Sequence, residues 1–455
     1  MLTAGVPRAA TAGAHPEPST IATSWESTPV REATTLAAWV ASGTATGTEF
    51  SRVPRWDTSG MSPRPVSHAA QAWLTANADA LVAWRRHLHR HPELSRQEFA
   101  TTQFVAERLA SAGLNPKILP SSTGLSCDFG PEDGPRLALR ADIDALPMTE
   151  QTAAPYASQV PGVTHACGHD AHTAILLGTA LALASAPALP VGVRVIFQAA
   201  EELMPGGAID AISAGVLSGV SRIFALHCDP RLQVGRVATV PGPITSAADT
   251  IEITVSGPGG HTSRPHLTAD LVYGLGTLIT GLPAVLSRRI DPRNSTVMVW
   301  GAVNSGAAAN AIPQSGRLAG TVRTASRDTW VEMEDIVSGA IAALLEPLNI
   351  DYTLNYHRGV PPVVNEAVST RMLTHAIEAL GPEALAETRQ SGGGEDFSWY
   401  LEQVPGAMGR LGVWSGSGPQ RDLHQPTFDL DERALAVGVQ VLAGLVDQAA
   451  ALGNG

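Results

Sequence analysis

Three successive apolar segments of this chain each lead into polar side chains, and this arrangement constrains the fold more than any other feature. Residues 136–140, 191–198 and 222–226 have the composition of short buried strands. The polar residues that follow them are, in chain order, Asp142, the pair Glu201 and Glu202, and His227. Because parallel strands bring their carboxyl ends to one edge of a sheet, we expect these side chains on a common edge.

A second feature is the stretch from His165 to His172, which carries one thiol, one carboxylate and three imidazoles directly before an apolar run. A thiolate and a neutral imidazole suit zinc and its first-row neighbours, and a strand-to-helix corner can direct both to one point. Cys167 and His169 are therefore the first two candidate metal ligands. The same spacing also fits a buried cysteine beside a helix-capping Asp170, and Cys-x-His alone does not decide between these interpretations.

The carboxylates at the predicted strand ends have distinct candidate roles. Asp142 could fix a ligating imidazole through its other ring nitrogen, and for Asp144 this role and simple turn capping are equally compatible with the sequence. Of the adjacent Glu201 and Glu202, one could bind metal while the other, unligated, accepts a proton from water. An exposed pair in a loop is the alternative, which the preceding buried strand disfavours.

Composition limits the function classes. The chain has 455 residues, 44% hydrophobic and 16% charged, which indicates a soluble globular protein of two or more domains. A net charge of -12 without any basic cluster argues against nucleic acid as a partner. The three cysteines Cys127, Cys167 and Cys228 cannot form a disulfide framework, which favours the cytoplasm. No uninterrupted transmembrane segment is evident, so no membrane partner is expected.

The order of predicted elements indicates a domain insertion. Residues 1–60 show no sustained period and are predicted to be a disordered or non-native extension. Residues 61–245 and 358–455 are predicted to form a catalytic domain, interrupted by an α+β lid or dimerisation domain at 246–357. The predicted fold class is α/β, with a mixed, largely parallel sheet flanked by helices. On the first predicted helix, residues 69–91, the alternating histidines at 87, 89 and 91 are expected at the surface or the helix end.

Eight short motifs occur in a fixed order between about residues 84 and 432: RADIDALP, HACGHD, EE, LH, GGH, NAIP, GEDF and LHQP. Together they resemble the M20 family of metallopeptidases, and specifically its amidohydrolase branch of aminoacylases, hippurate hydrolases and auxin-conjugate hydrolases. One departure is Cys228, which follows His227 where relatives commonly have an aliphatic residue.

The resemblance implies roles for particular residues. The five ligand positions fall on Cys167, His169, Glu202, His227 and His424, with the cysteine bridging two divalent metal ions that could be zinc, manganese or cobalt. The catalytic positions fall on Glu201, as general base, and His261, which stabilises the oxyanion. The substrate-binding positions fall on Asn310, Arg323 and Gly393; for Arg323 there is also a physical case, because a guanidinium pairs well with a carboxylate.

The expected activity is hydrolysis of N-acyl amino acids to a carboxylate and a free amino acid by a cytoplasmic homodimer that pairs through the inserted domain. Two alternatives stay open from the sequence, a metallo-dipeptidase or carboxypeptidase and a metal-binding protein without catalysis. Glu201 separates catalysis from binding, because a binding site needs no second, unligated carboxylate.

Overall fold

Two separate sheets organise the part of the chain that this computed structural model describes, residues 65–453. The main sheet has eight strands and the insert sheet has four, and two further ribbons have two strands each. The predicted extension at residues 1–60 lies outside the described residues.

The helices and strands follow one another in three groups. The first group is α1 (Pro65–Arg90), α2 (Phe99–Ser111), β1 (Lys117–Ile118), β2 (Leu125–Phe129), β3 (Arg136–Asp142), α3 (His169–Ala184), β4 (Gly192–Gln198), α4 (Ala208–Ser213), β5 (Val220–Gln233), β6 (Val237–Ala238) and β7 (Gly242–Pro243). The second is β8 (Ala247–Ser256), β9 (Gly260–His261), α5 (Leu271–Arg289), β10 (Val297–Ser305), β11 (Ala311–Ile312), β12 (Ser315–Thr324), α6 (Arg327–Leu345) and β13 (Asp351–Val360). The third is β14 (Val364–Asn365), α7 (Ala367–Glu378), β15 (Leu385–Ala386), α8 (Ser398–Leu401), β16 (Gly406–Trp414) and α9 (Arg433–Gly453).

The main sheet has the strand order β1-β2-β4-β3-β5-β16-β6-β15. Its central strands β4, β3, β5 and β16 run parallel, whereas β2 pairs antiparallel with β4. The predicted mixed, largely parallel sheet flanked by helices is therefore confirmed. Helix α3 is buried along almost its whole length and contacts α1, α9 and the sheet, which explains why its sequence has no polar face.

Two details of the main sheet differ from the predictions. Strand β5 continues through His227 to Gln233, so His227 lies within the strand instead of after it. Strand β16, in the middle of the sheet, had no counterpart among the predicted elements. Its glycines Gly406, Gly409 and Gly412 lower strand propensity and hide the pattern.

The insert sheet is antiparallel, in the order β10-β12-β8-β13, and carries α5 and α6. The sequence pattern predicts a strand at residues 315–324 and a helix at residues 327–345, and β12 and α6 have these bounds. Strand β13 was not predicted. The domain boundaries at residues 246 and 357 stay a prediction. Alone among the described helices, α5 is long and apolar enough to suit a membrane span, but Leu275 and Leu278 on its inner face are buried in the core of this sheet.

Candidate metal centre

The end of β3, the end of β4, the middle of β5 and the start of α3 meet at one edge of the main sheet. The corner before α3 depends on Gly168, which has a φ of 89°. A Cβ atom at this position would lie 2.8 Å from Sγ of Cys228. This close approach explains why the corner needs glycine, and it places Cys167 and His169 on either side of the turn.

The structure brings the five predicted metal ligands together. Sγ of Cys167 lies 3.6 Å from Nε2 of His227, and Nε2 of His169 lies 3.9 Å from Oε1 of Glu202. The same glutamate oxygen lies 3.1 Å from Nε2 of His424, which reaches the site from a loop near the carboxyl terminus. Cys167, His169 and Glu202 thus lie close to the imidazoles of His227 and His424, which are distant from them in sequence.

The orientation of two imidazoles prepares them for ligation. Nδ1 of His169 lies 3.0 Å from the backbone oxygen of Asp144, and Nδ1 of His227 lies 2.8 Å from that of Cys228. Because a carbonyl oxygen only accepts hydrogen bonds, each Nδ1 carries the proton. Nε2 of each ring therefore carries a lone pair that is available to a metal ion. Nε2 of His227 lies beside Sγ of Cys167, and Nε2 of His169 lies among the carboxylates of Asp142 and Glu202 at 3.7 and 3.9 Å.

Unsatisfied buried atoms show that these residues fit a metal ion. Among the described residues, neither Nε2 of His169 nor Oε1 of Glu202 has a properly oriented hydrogen-bond partner, although both are buried. Burial raises the pKa of the Cys167 thiol well above its usual value, and Glu202 and Glu201 add to this effect. A thiolate at this position therefore needs a cation beside it. Thiolate, imidazole and carboxylate together suit first-row divalent metals.

The role expected for Asp142 needs correction. The carboxylate on the Nδ1 side of His169 is that of Asp144, at 3.3 Å, while Asp142 lies on the Nε2 side at 3.7 Å. Asp142 instead contacts Nδ1 of His172 at 2.6 Å, and Nε2 of the same ring accepts the N–H of Cys228 at 2.9 Å. Both nitrogens of His172 are therefore occupied, so it positions the strands and does not offer a ligand atom.

Glu201 lies beside the predicted ligands within a cluster of buried carboxylates. Its Oε2 is 4.0 Å from Nε2 of His169. Burial and the neighbouring carboxylates of Glu395 and Glu202 raise the pKa of Glu201 well above its usual value. The motif GEDF contributes Glu395 and Asp396 to this cluster, whose proximity to Glu201 was not predicted because the two segments are almost 200 residues apart.

His89 lies in the last turn of α1, which is one of the two predicted positions, but it is not at the surface. This residue is buried, its Nδ1 lies 2.8 Å from Oδ2 of Asp170, and Nε of Arg85 lies 2.7 Å from the same oxygen. Burial alone would lower the pKa of His89, but Asp170 outweighs it and raises the pKa to about 9. Arg85 and His89 of α1 thus hold Asp170, in the first turn of α3, through ion pairs. The pairing of Asp170 with α1 could not be read from the spacing of the histidines.

The insert contributes three of the remaining predicted site residues, His261, Asn310 and Arg323. His261 and Asn310 are joined by the β9–β11 ribbon, where the N–H of Thr262 donates to the backbone oxygen of Asn310 at 3.2 Å. His261 is exposed, and its Nδ1 contacts Oγ of Ser263 at 2.8 Å. Within residues 65–453, no hydrogen bond or ion pair connects His261 to a predicted metal ligand.

Arg323 and Gly393 lie together at the glycine-rich loop of residues 391–394. Nη1 of Arg323 donates to the backbone oxygen of Gly392 at 2.5 Å. The backbone oxygen of Gly393 accepts the N–H of Ser246 at 3.0 Å. Two of the three predicted substrate-binding positions, Arg323 and Gly393, thus lie at one loop, which contacts both the insert sheet and the main sheet.

A group of thiol, imidazole and carboxylate donors at the edge of an α/β sheet is the arrangement of a candidate metal site. Residues 138–448 match the model of peptidase family M20/M25/M40. An N-acetylcysteine deacetylase of Bacillus subtilis is 38% identical over 368 residues, which cover 80% of this chain and 95% of that protein. A solved Bacillus subtilis structure, described as a dinuclear metal binding peptidase from the M20 family, superposes with a TM-score of 0.73 at 35% identity and covers 83% of this chain and 99% of its own.

Another relative is named as a ligase and not as a hydrolase. A Rhodococcus jostii protein named putative glutamate–cysteine ligase 2-3 is 56% identical over 366 residues, or 80% of this chain. The match covers 46% of that protein, so the chain spans about half its length.

The chain belongs to peptidase family M20/M25/M40, as its motifs predicted. It is a metal-dependent amidohydrolase of that family.

Proposed function

We propose that the protein hydrolyses the amide bond of N-acyl amino acids and that it holds two divalent metal ions. The observation that carries the proposal is that Cys167 belongs to two groups of donor atoms, each group lying within 4.8 Å. One group adds His169 and His227, and the other adds Glu202 and His424. A thiolate shared by both groups would bridge two cations. The similarity to an N-acetylcysteine deacetylase supports an N-acyl amino acid as the substrate.

Bound divalent cations would supply Lewis acidity to the amide carbonyl and lower the pKa of water. The chain itself moves the protons. Glu201 takes a proton from the attacking water and gives it to the leaving nitrogen. The burial that raises the pKa of Glu201 favours its protonated form, which is the form that protonates the leaving group. Zinc, manganese and cobalt all suit the donor set.

Three residues would hold the substrate's amino-acid portion. Arg323 offers a guanidinium to the carboxylate, and Asn310 and Gly393 offer polar groups beside it. His261 would donate to the oxyanion that forms when water attacks the carbonyl. All four residues come from the insert or from the loop beneath it.

We propose a homodimer that pairs through the insert and works in the cytoplasm. Strand β10 is an edge strand of the insert sheet, and its Val297, Val299 and Val303 are each more than half exposed. An apolar edge strand favours pairing with a second chain. A twofold dimer would also let the exposed His261 reach the partner's metal centre. The buried free cysteines suit a reducing compartment.

The test of the proposed function uses metal-free protein reloaded with zinc, manganese or cobalt, one at a time. We expect at least one metal to restore hydrolysis of N-acyl amino acids, and dipeptides to be cleaved more slowly. Protein that receives no metal is the control. Cleavage of dipeptides alone, or no hydrolysis with any of the metals, would contradict the proposal.

A further inference from the structure

Arg410, on β16, is a buried arginine with an incomplete set of partners. Its side chain is 5% exposed. Nη2 donates to the backbone oxygen of Ile244 at 3.1 Å and contacts Oγ of Ser391 at 2.7 Å. Nε is buried and has no hydrogen-bond partner among the described residues. No carboxylate oxygen of residues 65–453 lies within salt-bridge distance of this guanidinium.

The other buried arginines of the described chain are fully paired. Arg85 contacts Asp170 at 2.7 Å and Asp429 at 3.1 Å. Arg140 contacts Asp142 and Asp396, each at 2.7 Å. A buried cation without a counter-ion is costly, because its hydration is lost and no anion replaces it. Burial accordingly lowers the pKa of Arg410.

The strand register shows which way Arg410 faces. Arg410 is paired with His227 across the parallel strands β16 and β5. Side chains at paired positions of neighbouring strands lie on the same face of the sheet. His227 uses that face to approach Sγ of Cys167, at 3.6 Å. The guanidinium of Arg410 therefore lies on the metal-centre side of the sheet, and its positive charge is one of the causes that lower the pKa of His227, after burial and His172.

Arg410 and Arg323 contact consecutive residues of the glycine-rich loop. Arg410 reaches Ser391 from the main sheet, and Arg323 reaches Gly392 from the insert. A Cβ atom built on Gly392 would meet nothing within 4 Å, so the space beside the loop is open. Both guanidinium groups therefore border the same loop, one from each sheet.

We propose that Arg410 is a substrate-binding residue that pairs with the carboxylate of the N-acyl amino acid. The inference rests on the proposed function. It adds Arg410, from the main sheet, to Arg323, from the insert, as a second cation for the substrate carboxylate. The hydrogen bonds to Ile244 and Ser391 fix the guanidinium and leave three of its five N–H groups for the substrate. The substrate supplies the counter-ion that the folded chain lacks.

The test compares N-acetyl-L-alanine with N-acetyl-L-alaninamide, which keeps the acetyl amide but has no carboxylate. For Arg410→Gln we expect KM for the acid to rise at least about tenfold with kcat changed less than about threefold, because a charge-assisted contact is lost. Turnover of the amide should not change. Arg410→Lys should recover part of the KM. The matched control is Arg222→Gln on β5, whose side chain pairs with Glu366 away from the site.

Two outcomes would overturn the inference. An equal fall in turnover of acid and amide would mean that Arg410 acts on the metal centre and not on the carboxylate. A large fall in thermal midpoint in both the glutamine and lysine variants, with no selective change in KM, would make its role structural.

The proposed function can fail separately. If the wild-type holoenzyme cleaves neither compound, calorimetric titration of the same proteins with the acid and the amide still measures carboxylate selectivity. Weaker binding of the acid alone in Arg410→Gln would support the inference, and unchanged binding would contradict it.

Discussion

The metal centre and the β9–β11 ribbon carry the same kinds of side chain in opposite surroundings. At the metal centre, His169 and Glu201 are buried, and fixed partners orient the imidazole. In the ribbon, His261 and Asn310 are exposed and contact only their own neighbourhood within the described structure. The first region draws its donor atoms from one chain, whereas within the described residues the second makes no hydrogen bond or ion pair with a predicted metal ligand.

This difference follows from how each region is built. Parallel strands with covered faces place their polar ends in a confined space, where each orphaned atom needs a ligand. In the two-stranded ribbon His261 is exposed, so it can present a donor to a substrate or to a second chain without a desolvation cost until contact is made. Mutations in the two regions should therefore change different quantities.

The largest effect is expected for Cys167→Ala. Loss of the thiolate that both donor groups share should lower metal occupancy and activity strongly. The effect should exceed the roughly 10–100-fold loss that follows removal of a residue that only hydrogen-bonds a metal ligand. Metal analysis after dialysis measures the change. Cys127→Ala and Cys228→Ala are the controls, because both thiols are buried but belong to none of the donor groups. Equal metal loss in the three variants would remove the distinction between Cys167 and an ordinary core cysteine.

For His261→Ala we expect a roughly 10²–10³-fold fall in kcat with full metal occupancy, the usual cost of one oxyanion donor. Steady-state kinetics and metal analysis on one sample measure both quantities. His266→Ala is the control, because it is also exposed and follows in the same loop. Loss of metal in His261→Ala would show that the ribbon is not independent of the centre.

The same variant tests whether His261 acts across a dimer. Mixing Glu201→Gln and His261→Ala proteins under subunit exchange gives mixed dimers with one site carrying both defects and one carrying neither. Random pairing makes about half of the dimers mixed, so activity should recover to about a quarter of wild type. No recovery despite exchange would mean that His261 serves its own chain.

A smaller effect is expected for Asp144→Asn. This carboxylate lies 3.3 Å from Nδ1 of His169 and also accepts the N–H of Glu202 at 2.9 Å. Loss of its charge should weaken metal binding roughly 10–100-fold, because the ring and the neighbouring ligand are oriented less firmly. Titration with a metal-buffering chelator measures the affinity. An unchanged affinity would show that the backbone oxygen of Asp144 is sufficient.

The sequence predicted the parts of this molecule whose function depends on local pattern. The donors around Cys167 and the pair Glu201 and Glu202 could be located because motif and strand end coincide. Asp144 was a candidate for orienting a ligating imidazole, but the sequence could not decide between this role and turn capping. The pairing of Asp170 with Arg85 and His89 could not be predicted, because it joins two segments about 80 residues apart through a three-dimensional contact. Strand β16 was missed for a related reason, since its glycines are tolerated only between two neighbouring strands.

The smallest effect on catalysis is expected for His89→Gln, which should change stability instead. The folded-state pKa of His89 is raised to about 9, so its contribution is fully present below pH 6.5 and is lost as the pH rises through 9. At roughly 1.4 kcal/mol per pKa unit, the contribution is about 3 kcal/mol. Denaturant unfolding at several pH values should show this decline in wild type and not in His89→Gln. The exposed His91→Gln is the control, and a decline that persists in His89→Gln would assign it to another group.

The most direct test of the account is Glu201→Gln, measured for metal content and turnover on the same sample. The amide keeps the shape of the side chain but has no basic oxygen for the proton of water. We expect metal content to stay at the wild-type level while kcat falls roughly 10²–10⁴-fold, and Glu378→Gln, an exposed change on α7, to alter neither. Turnover near wild type in fully metal-loaded Glu201→Gln would contradict the assignment of Glu201 as the proton acceptor.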